Sequence, residues 1–333
     1  MTSTHDENDT GAIGTARDWA AQALENVKQE IAKVFVGQND LVEHALITLL
    51  SGGHLLVEGV PGLGKTLLVR ALAKAIGGES KRIQFTPDLM SSDITGSIML
   101  DVQAGKFITR KGPVFTNILI ADEINRAPAK TQAALFEAMQ EFQVSLDGTE
   151  YPLPRPFMVL ATQNPFEHEG TYPLPDAQKD RFLMKLLIDY PDVEEEKEMV
   201  GRVLSGGTGA ELSLEGVMQA LTPDEFAAVR DEASRVRVDG AITDYAVRLV
   251  SATRNSPAIE TGSGPRGSLA LIRCARGRAL LQRRDFVIPD DIKALAVPVL
   301  IHRITLSAES DLEGINEVRA VQALLSKVQA PRQ

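Results

Sequence analysis

Gly59, Gly62 and Gly64, followed by Lys65 and Thr66, stand at the spacing G-x-x-x-x-G-K-[ST] in the stretch GVPGLGKT. These residue types at this spacing suit one task, the gripping of a polyphosphate. The glycines allow a loop tight enough to turn several backbone N–H groups towards one anion, at the positive end of a helix. Lys65 can bridge the outer phosphates, and the Thr66 hydroxyl can ligate Mg2+. The surroundings agree. An apolar run, HLLVE, precedes the loop, and Leu67, Leu68, Ala71, Leu72 and Ala75 recur after it with helical period.

A second group complements the first. NILIADE, residues 117–123, is an apolar strand ending in two adjacent carboxylates. Alone, Asp-Glu at a strand end is a solvated turn. Behind a phosphate loop, Asp122 is expected to hold Mg2+ through water and Glu123 to polarise an attacking water. FMVLATQNP ends at Asn164, whose amide could orient that water, although Asn-Pro by itself simply starts a turn. LPDAQKDRF places Arg181 just before the last apolar run; in isolation an Asp-Arg pair is a surface ion pair worth little.

Five short apolar runs must position these groups: HLLVEG, RIQF, NILIAD, FMVLAT and LMKLLI. They alternate with helical stretches between Val34 and about Ile188. Continuously apolar strands of this kind predict an α/β domain, with a parallel sheet covered on both faces. Two inserts, SIMLDVQAGKFITRKG and FQVSLDGTEYPLP, read as hairpins, the second turning at Asp147-Gly148. Beyond Tyr190 the chain is acidic, then glycine-rich, and from Thr222 onward only helical periodicity is apparent. The expected organisation is a disordered tail over 1–16, a nucleotide-binding core over 17–217 and a helical domain over 218–333. Near the start, Trp19, Ala23, Leu24, Val27 and Ile31 predict a helix.

Bulk properties exclude several classes. A net charge of −10 over 333 residues argues against a chain built mainly to coat nucleic acid. One cysteine, Cys274, cannot form an internal disulfide, and the five histidines show no metal-ligand spacing. No apolar run is long enough to span a bilayer, and the polar, acidic N-terminus does not resemble a secretory signal. A cytoplasmic location is expected.

Together, GVPGLGKT, ADEINRAP, ATQNP, GTYPLPDAQKDRF and GPRGSLALIR resemble the MoxR family of AAA+ ATPases, over a span from about Val36 to the last helices. The resemblance implies an AAA+ core, a five-stranded parallel sheet with helices on both faces, followed by an all-helical lid. It implies that Lys65 and Thr66 form the Walker A site and Asp122 and Glu123 Walker B. Asn164 matches sensor 1. Arg181 matches the arginine finger, which acts on ATP held by the neighbouring subunit, and Arg266 matches sensor 2, which reaches the γ-phosphate. Gln38 matches the adenine side, completing a nucleotide-binding set with Gly59, Pro61, Gly62, Gly64, Leu67 and Asp122, while Thr66 and Asp122 serve Mg2+. The inserts match elements that face a central pore or a partner.

The implied activity is ATP hydrolysis in a homo-oligomeric ring, six subunits by family expectation. The ring would act as a chaperone-like motor that remodels or matures client proteins. A von Willebrand factor A domain partner often accompanies the family, and a metal or cofactor is sometimes loaded. Two positions depart from the family pattern, Lys179 for Leu and Ser91 for Pro, and neither would touch phosphate. The main rival is a DNA-associated motor using Lys106, Arg110 and Lys111; net acidity and the lack of aromatic-basic interleaving oppose it. A small-molecule kinase would have no use for the inserts and the large second domain, and Glu123 disfavours a non-hydrolysing switch. In LIRCARGRALLQRRD, Arg273, Arg276, Arg278, Arg283 and Arg284 read as the solvated basic face of an amphipathic helix, with Cys274 as a packing residue.

Overall fold

The structure, a computed structural model, describes residues 7–60, 64–103, 105–164, 171–205 and 214–331. The chain forms two compact units, Gln29–Pro223, and Asp224–Gln333 together with Met1–Lys28. In chain order the elements begin with α1 (Glu7–Ala32), α2 (Asn39–Leu50), β1 (Leu55–Gly59), α3 (Lys65–Ala75) and β2 (Ser80–Gln84). Then come α4 (Ser91–Thr95), β3 (Gly96–Asp101), β4 (Lys106–Lys111), β5 (Ile118–Asp122) and a 3-10 turn (Ile124–Arg126). After α5 (Ala129–Glu141) follow β6 (Gln143–Leu146), β7 (Thr149–Pro152), β8 (Met158–Gln163), α6 (Asp176–Lys179), β9 (Met184–Ile188) and α7 (Val193–Ser205). The C-terminal part holds α8 (Pro223–Arg235), α9 (Gly240–Arg254), β10 (Ile259–Thr261), α10 (Pro265–Leu281) and α11 (Pro289–Leu300). It ends with β11 (Thr305–Leu306), α12 (Ala308–Leu312) and α13 (Glu317–Lys327).

The five apolar runs are the five strands of one sheet, in the order β2-β5-β8-β1-β9, with every pair parallel. Parallel strands need long crossovers, and these are the helices that cover the sheet. On one face Leu56, Leu119, Ala121, Val159 and Ala161 pack with Phe136 and Phe182, all fully buried. Each large apolar side chain so buried contributes about 1.5–3 kcal/mol. This order sets β8 between β5 and β1, all parallel, so the loops after all three open on one edge.

The inserts are antiparallel hairpins, β3–β4 and β6–β7. Asp147 and Gly148 both have positive φ, 49° and 76°, the primed turn that matches strand twist. The first hairpin leaves Leu100, Val102 and Phe107 exposed, at 53%, 85% and 76%.

The start of the chain differs from the tail expected over 1–16. α1 begins at Glu7, ten residues earlier than composition suggested, and only residues 1–6 lie outside the description there. Its buried stripe is Ala20, Ala23, Leu24, Val27 and Ile31, whereas Trp19 is 43% exposed. Arg17 pairs with Asp285 at 3.4 Å, and Gln22 accepts a hydrogen bond from Arg283 at 2.7 Å. These bonds join the first 28 residues to the C-terminal helices, rather than to the core assigned to 17–217.

The helical unit holds one small antiparallel pair that periodicity missed, β10 with β11. Strands of three and two residues are too short to alternate visibly. Its arginines also depart from a uniformly solvated face. Asp291, fully buried, accepts from Arg278 at 2.7 Å, from Arg284 at 2.6 and 2.8 Å and from the Ile288 amide at 2.9 Å. Such a carboxylate is tolerated only because every lone pair is occupied. Asp291→Ala would bury two arginine ends without their counter-charge. It is expected to cost about 3–5 kcal/mol, read as a lowered denaturant midpoint. Cys274 is buried, as a packing residue should be. No helix among the described residues is long and apolar enough to cross a membrane.

Candidate active site

Two glycines of the phosphate loop are required by what surrounds them. A Cβ on Gly59 would lie 2.2 Å from the carbonyl oxygen of Ile188, so β9 could not approach β1. Gly64 caps α3 with φ 72°, a left-handed conformation costly to other residues. The Phe35 ring packs against Gly64, with Cε2 3.2 Å from where a Cβ would stand, and so fixes the segment that carries Gln38 beside the loop. Pro61 and Gly62 lie outside the described residues. Lys65, Thr66 and Leu67 form the first turn of α3, Leu67 buried and the other two half-buried.

The Lys65 ammonium donates to the Val60 carbonyl at 3.1 Å. Burial pushes its pKa below the ordinary lysine value, and the negative charge of Asp122 pulls it partway back. A lysine depressed in the folded state holds fewer protons than its unfolded counterpart between the lowered value and 10.5. Stability of the nucleotide-free protein therefore rises with pH across that window. Phosphate favours the charged form and works the other way. ATP binding is expected to take up protons at alkaline pH and to weaken as pH rises through the window. Calorimetry in two buffers of different ionisation enthalpy checks this, and Lys65→Met should remove the dependence.

At the end of β5 the two carboxylates point into different networks. Asp122 Oδ1 accepts from the Thr162 hydroxyl at 3.1 Å, and Oδ2 from Arg82 Nε at 2.6 Å. Thr162, on the adjacent strand β8, also accepts from the Glu123 amide at 2.9 Å. One hydroxyl therefore sets the spacing of both acids. Glu123 has φ 55° and ψ 49°, and Arg126 donates to its Oε2 at 2.8 Å. Asn164 follows β8 directly and is half-buried, at the open edge shared with β1 and β5.

Arg181 follows α6, and its guanidinium lies over the Phe136 ring at 5.6 Å. Among the described residues no carboxylate pairs with Arg181, so the simple surface ion pair does not form. Lys179, the departure nearest to it, turns to Asp176 at 2.7 Å. Gln38 sits in the left-handed region at φ 47°, and its backbone N–H donates to Glu195 Oε1 at 3.2 Å. Arg266, in the other unit, is exposed in the first turn of α10, behind Gly264 and Pro265.

Sequence reasoning passed over Arg82, Arg126 and Thr162. Thr162 is a polar residue near the end of the otherwise apolar β8, and that was the available signal; Arg82 lies in a largely polar strand and carried none.

Known proteins resemble this chain over most of its length. The model of the ATPase family associated with various cellular activities matches residues 54–184, and an AAA lid domain matches 251–324. The YeaC protein of Bacillus subtilis is 47% identical, over 92% of this chain and 94% of its own. Chaperone MoxR1 of Mycobacterium tuberculosis is 42% identical, over 98% of this chain and 87% of its own. A crystal structure assigned as an ATPase from Cytophaga hutchinsonii superposes with a TM-score of 0.90 at 40% identity, covering 97% of this chain and 99% of that one. With a nucleotide loop, paired acids and a helical lid in this order, the chain belongs to the MoxR family of AAA+ ATPases and hydrolyses ATP.

Proposed function

We propose that the chain works as a homo-oligomeric ring, six subunits by family pattern, in which each ATP is held by one subunit and completed by Arg181 of the next. The observation that carries this reading is Arg181 itself. It is braced on an aromatic face and has no carboxylate partner among the described residues, as suits a charge meant for another molecule's phosphate. Within a subunit, Lys65 and the loop amides bind the phosphates, Glu123 takes the proton of the attacking water, and Asn164 orients that water. Arg266 keeps its assignment to the γ-phosphate by family pattern.

Thr66 and Asp122 offer the hard oxygen donors that Mg2+ prefers. Among the described residues no three His, Cys, Asp or Glu side chains cluster to hold a metal. This pairing fits an ion carried mainly by phosphates and water rather than by a protein cage. When bound, the ion neutralises charge on the phosphates.

The output is mechanical: the exposed Leu100, Val102 and Phe107 of the β3–β4 hairpin engage a client protein, a chaperone-like task that the name of the MoxR1 relative supports. Maturation of the client, with a von Willebrand factor A domain protein and in some cases metal or cofactor loading, is the family pattern carried into this reading. The apolar hairpin tip favours a protein over DNA. The test is ATP turnover per protomer measured with sedimentation over a range of concentration. Turnover should rise as the ring assembles; dilute monomer working at full rate would refute the shared site.

A further inference from the structure

Gln132 is 1% exposed in α5, and it is placed where two functional segments meet. Its Nε2 lies 3.2 Å from the Ile124 carbonyl, 3.0 Å from that of Ala127 and 3.4 Å from that of Tyr172. The amide cannot be reversed, because three carbonyl oxygens would then face an oxygen. Its Oε1 is buried with no partner. The fold therefore accepts a desolvation penalty at this residue while using both of its donors.

The carbonyls of Ile124 and Ala127 belong to the turn that begins at Glu123. Both residues are fully buried, so the turn is anchored by its apolar side chains and by Gln132. The Tyr172 backbone is gripped from both sides, its carbonyl by Gln132 and its amide by the Asn125 carbonyl at 2.6 Å. From Tyr172 the chain runs through buried Leu174 into α6 and on to Arg181. Arg181 rests on Phe136, four residues after Gln132 on α5 and hence on the same face. One rigid helix thus holds the turn of Glu123 at one point and the seat of Arg181 one turn later.

We propose that Gln132 is a positioning residue through which α5 ties the base of a subunit's own site to the arginine that the same subunit lends to its neighbour. The inference rests on the shared-site reading. Any displacement of the Glu123 turn is passed to Tyr172 and α5 together, so the two sites that a subunit serves do not move independently. Misplacing a reacting group by about 1 Å costs about 10²-fold in rate, so a loosened turn is damaging without any loss of binding.

The experiment uses assembled full-length protein and mixed rings. Glu123→Gln subunits keep their arginine and Arg181→Ala subunits keep their base, so mixing the two should restore turnover where intact halves meet. That control tests the shared site. Gln132→Met keeps side-chain length and removes the donors. It is expected to lower turnover about 10²-fold, with the KM for ATP within about two-fold and the melting transition retained. In mixtures it should restore neither Glu123→Gln, which needs a base, nor Arg181→Ala, which needs an arginine. Tyr172→Pro removes the amide that grips Asn125, along with an exposed side chain, and Tyr172→Ala, which keeps the amide, is the control for that side chain. The proline variant should restore Glu123→Gln subunits but not Arg181→Ala subunits.

Gln132→Met subunits that activate Arg181→Ala subunits would overturn the coupling, as would wild-type turnover by Tyr172→Pro rings. A silent control mixture would instead remove the shared site, and the coupling with it. If Gln132→Met fails to assemble, Tyr172→Pro alone decides, because Tyr172 is 45% exposed and outside the core.

Discussion

Arg181→Ala rings are expected to hydrolyse ATP about 10³–10⁵-fold more slowly than wild type while still assembling and still binding nucleotide. The magnitude follows from where charge develops. In phosphoryl transfer the protein does little covalent chemistry, and a cation aimed at the transferring group contributes most of what a neighbour can offer. The guanidinium is held over Phe136 at 5.6 Å, without a carboxylate to neutralise it among the described residues. Removing it should leave the nucleotide's own loop untouched, so ATP affinity should change little. Steady-state turnover and equilibrium binding, measured on the same ring preparation, separate the two. Near-normal turnover by an assembled Arg181→Ala ring would rule out catalysis in trans.

Glu123→Gln should have the second largest effect, a fall of about 10²–10⁴-fold in turnover with ATP retained. Glutamine preserves the size of the side chain and its contact with Arg126, but it cannot accept a proton from water. Asp122, tied to Thr162 and Arg82, has both oxygens engaged and is poorly placed to substitute. The variant should therefore trap ATP uncleaved, seen as stoichiometric unhydrolysed nucleotide after gel filtration. If it turned over at an appreciable fraction of the wild-type rate, another group would have to be the base.

Much of this site was legible before any coordinates. Phosphate binding demands a strict order of glycines, lysine and threonine between a strand and a helix, and β1, Gly64 and α3 supply it in consecutive residues. The acids of β5 are equally local. Thr162 and Gln132 were not legible, because each acts across the fold. Thr162 meets Asp122 only once β8 lies beside β5, and Gln132 meets Tyr172 across 40 residues of chain. The basic stretch that runs from α10 into the turn after it shows the opposite failure. Arg278 and Arg284 looked solvent-facing by composition, yet they serve the buried Asp291, which belongs to the next helix. Periodicity reports which face of a helix is apolar, and it does not report what a neighbouring helix contributes to the polar one. The first turns of α1 were hidden for a related reason, since ENDTGAIGTA has few side chains to bury.

Glu123 occupies a backbone conformation, φ 55° and ψ 49°, that glycine adopts freely and glutamate does not. The strain is on the order of 1 kcal/mol, and it falls on the residue that performs the chemistry. Relief of that strain by Glu123→Gly is offset by the freedom glycine adds to the unfolded chain and by the lost contact with Arg126, so the melting temperature is expected to stay near that of the natural protein while turnover is lost. Thermostabilisation guided by melting temperature alone would let this change through and discard the enzyme, so position 123 is one to hold constant in any such library.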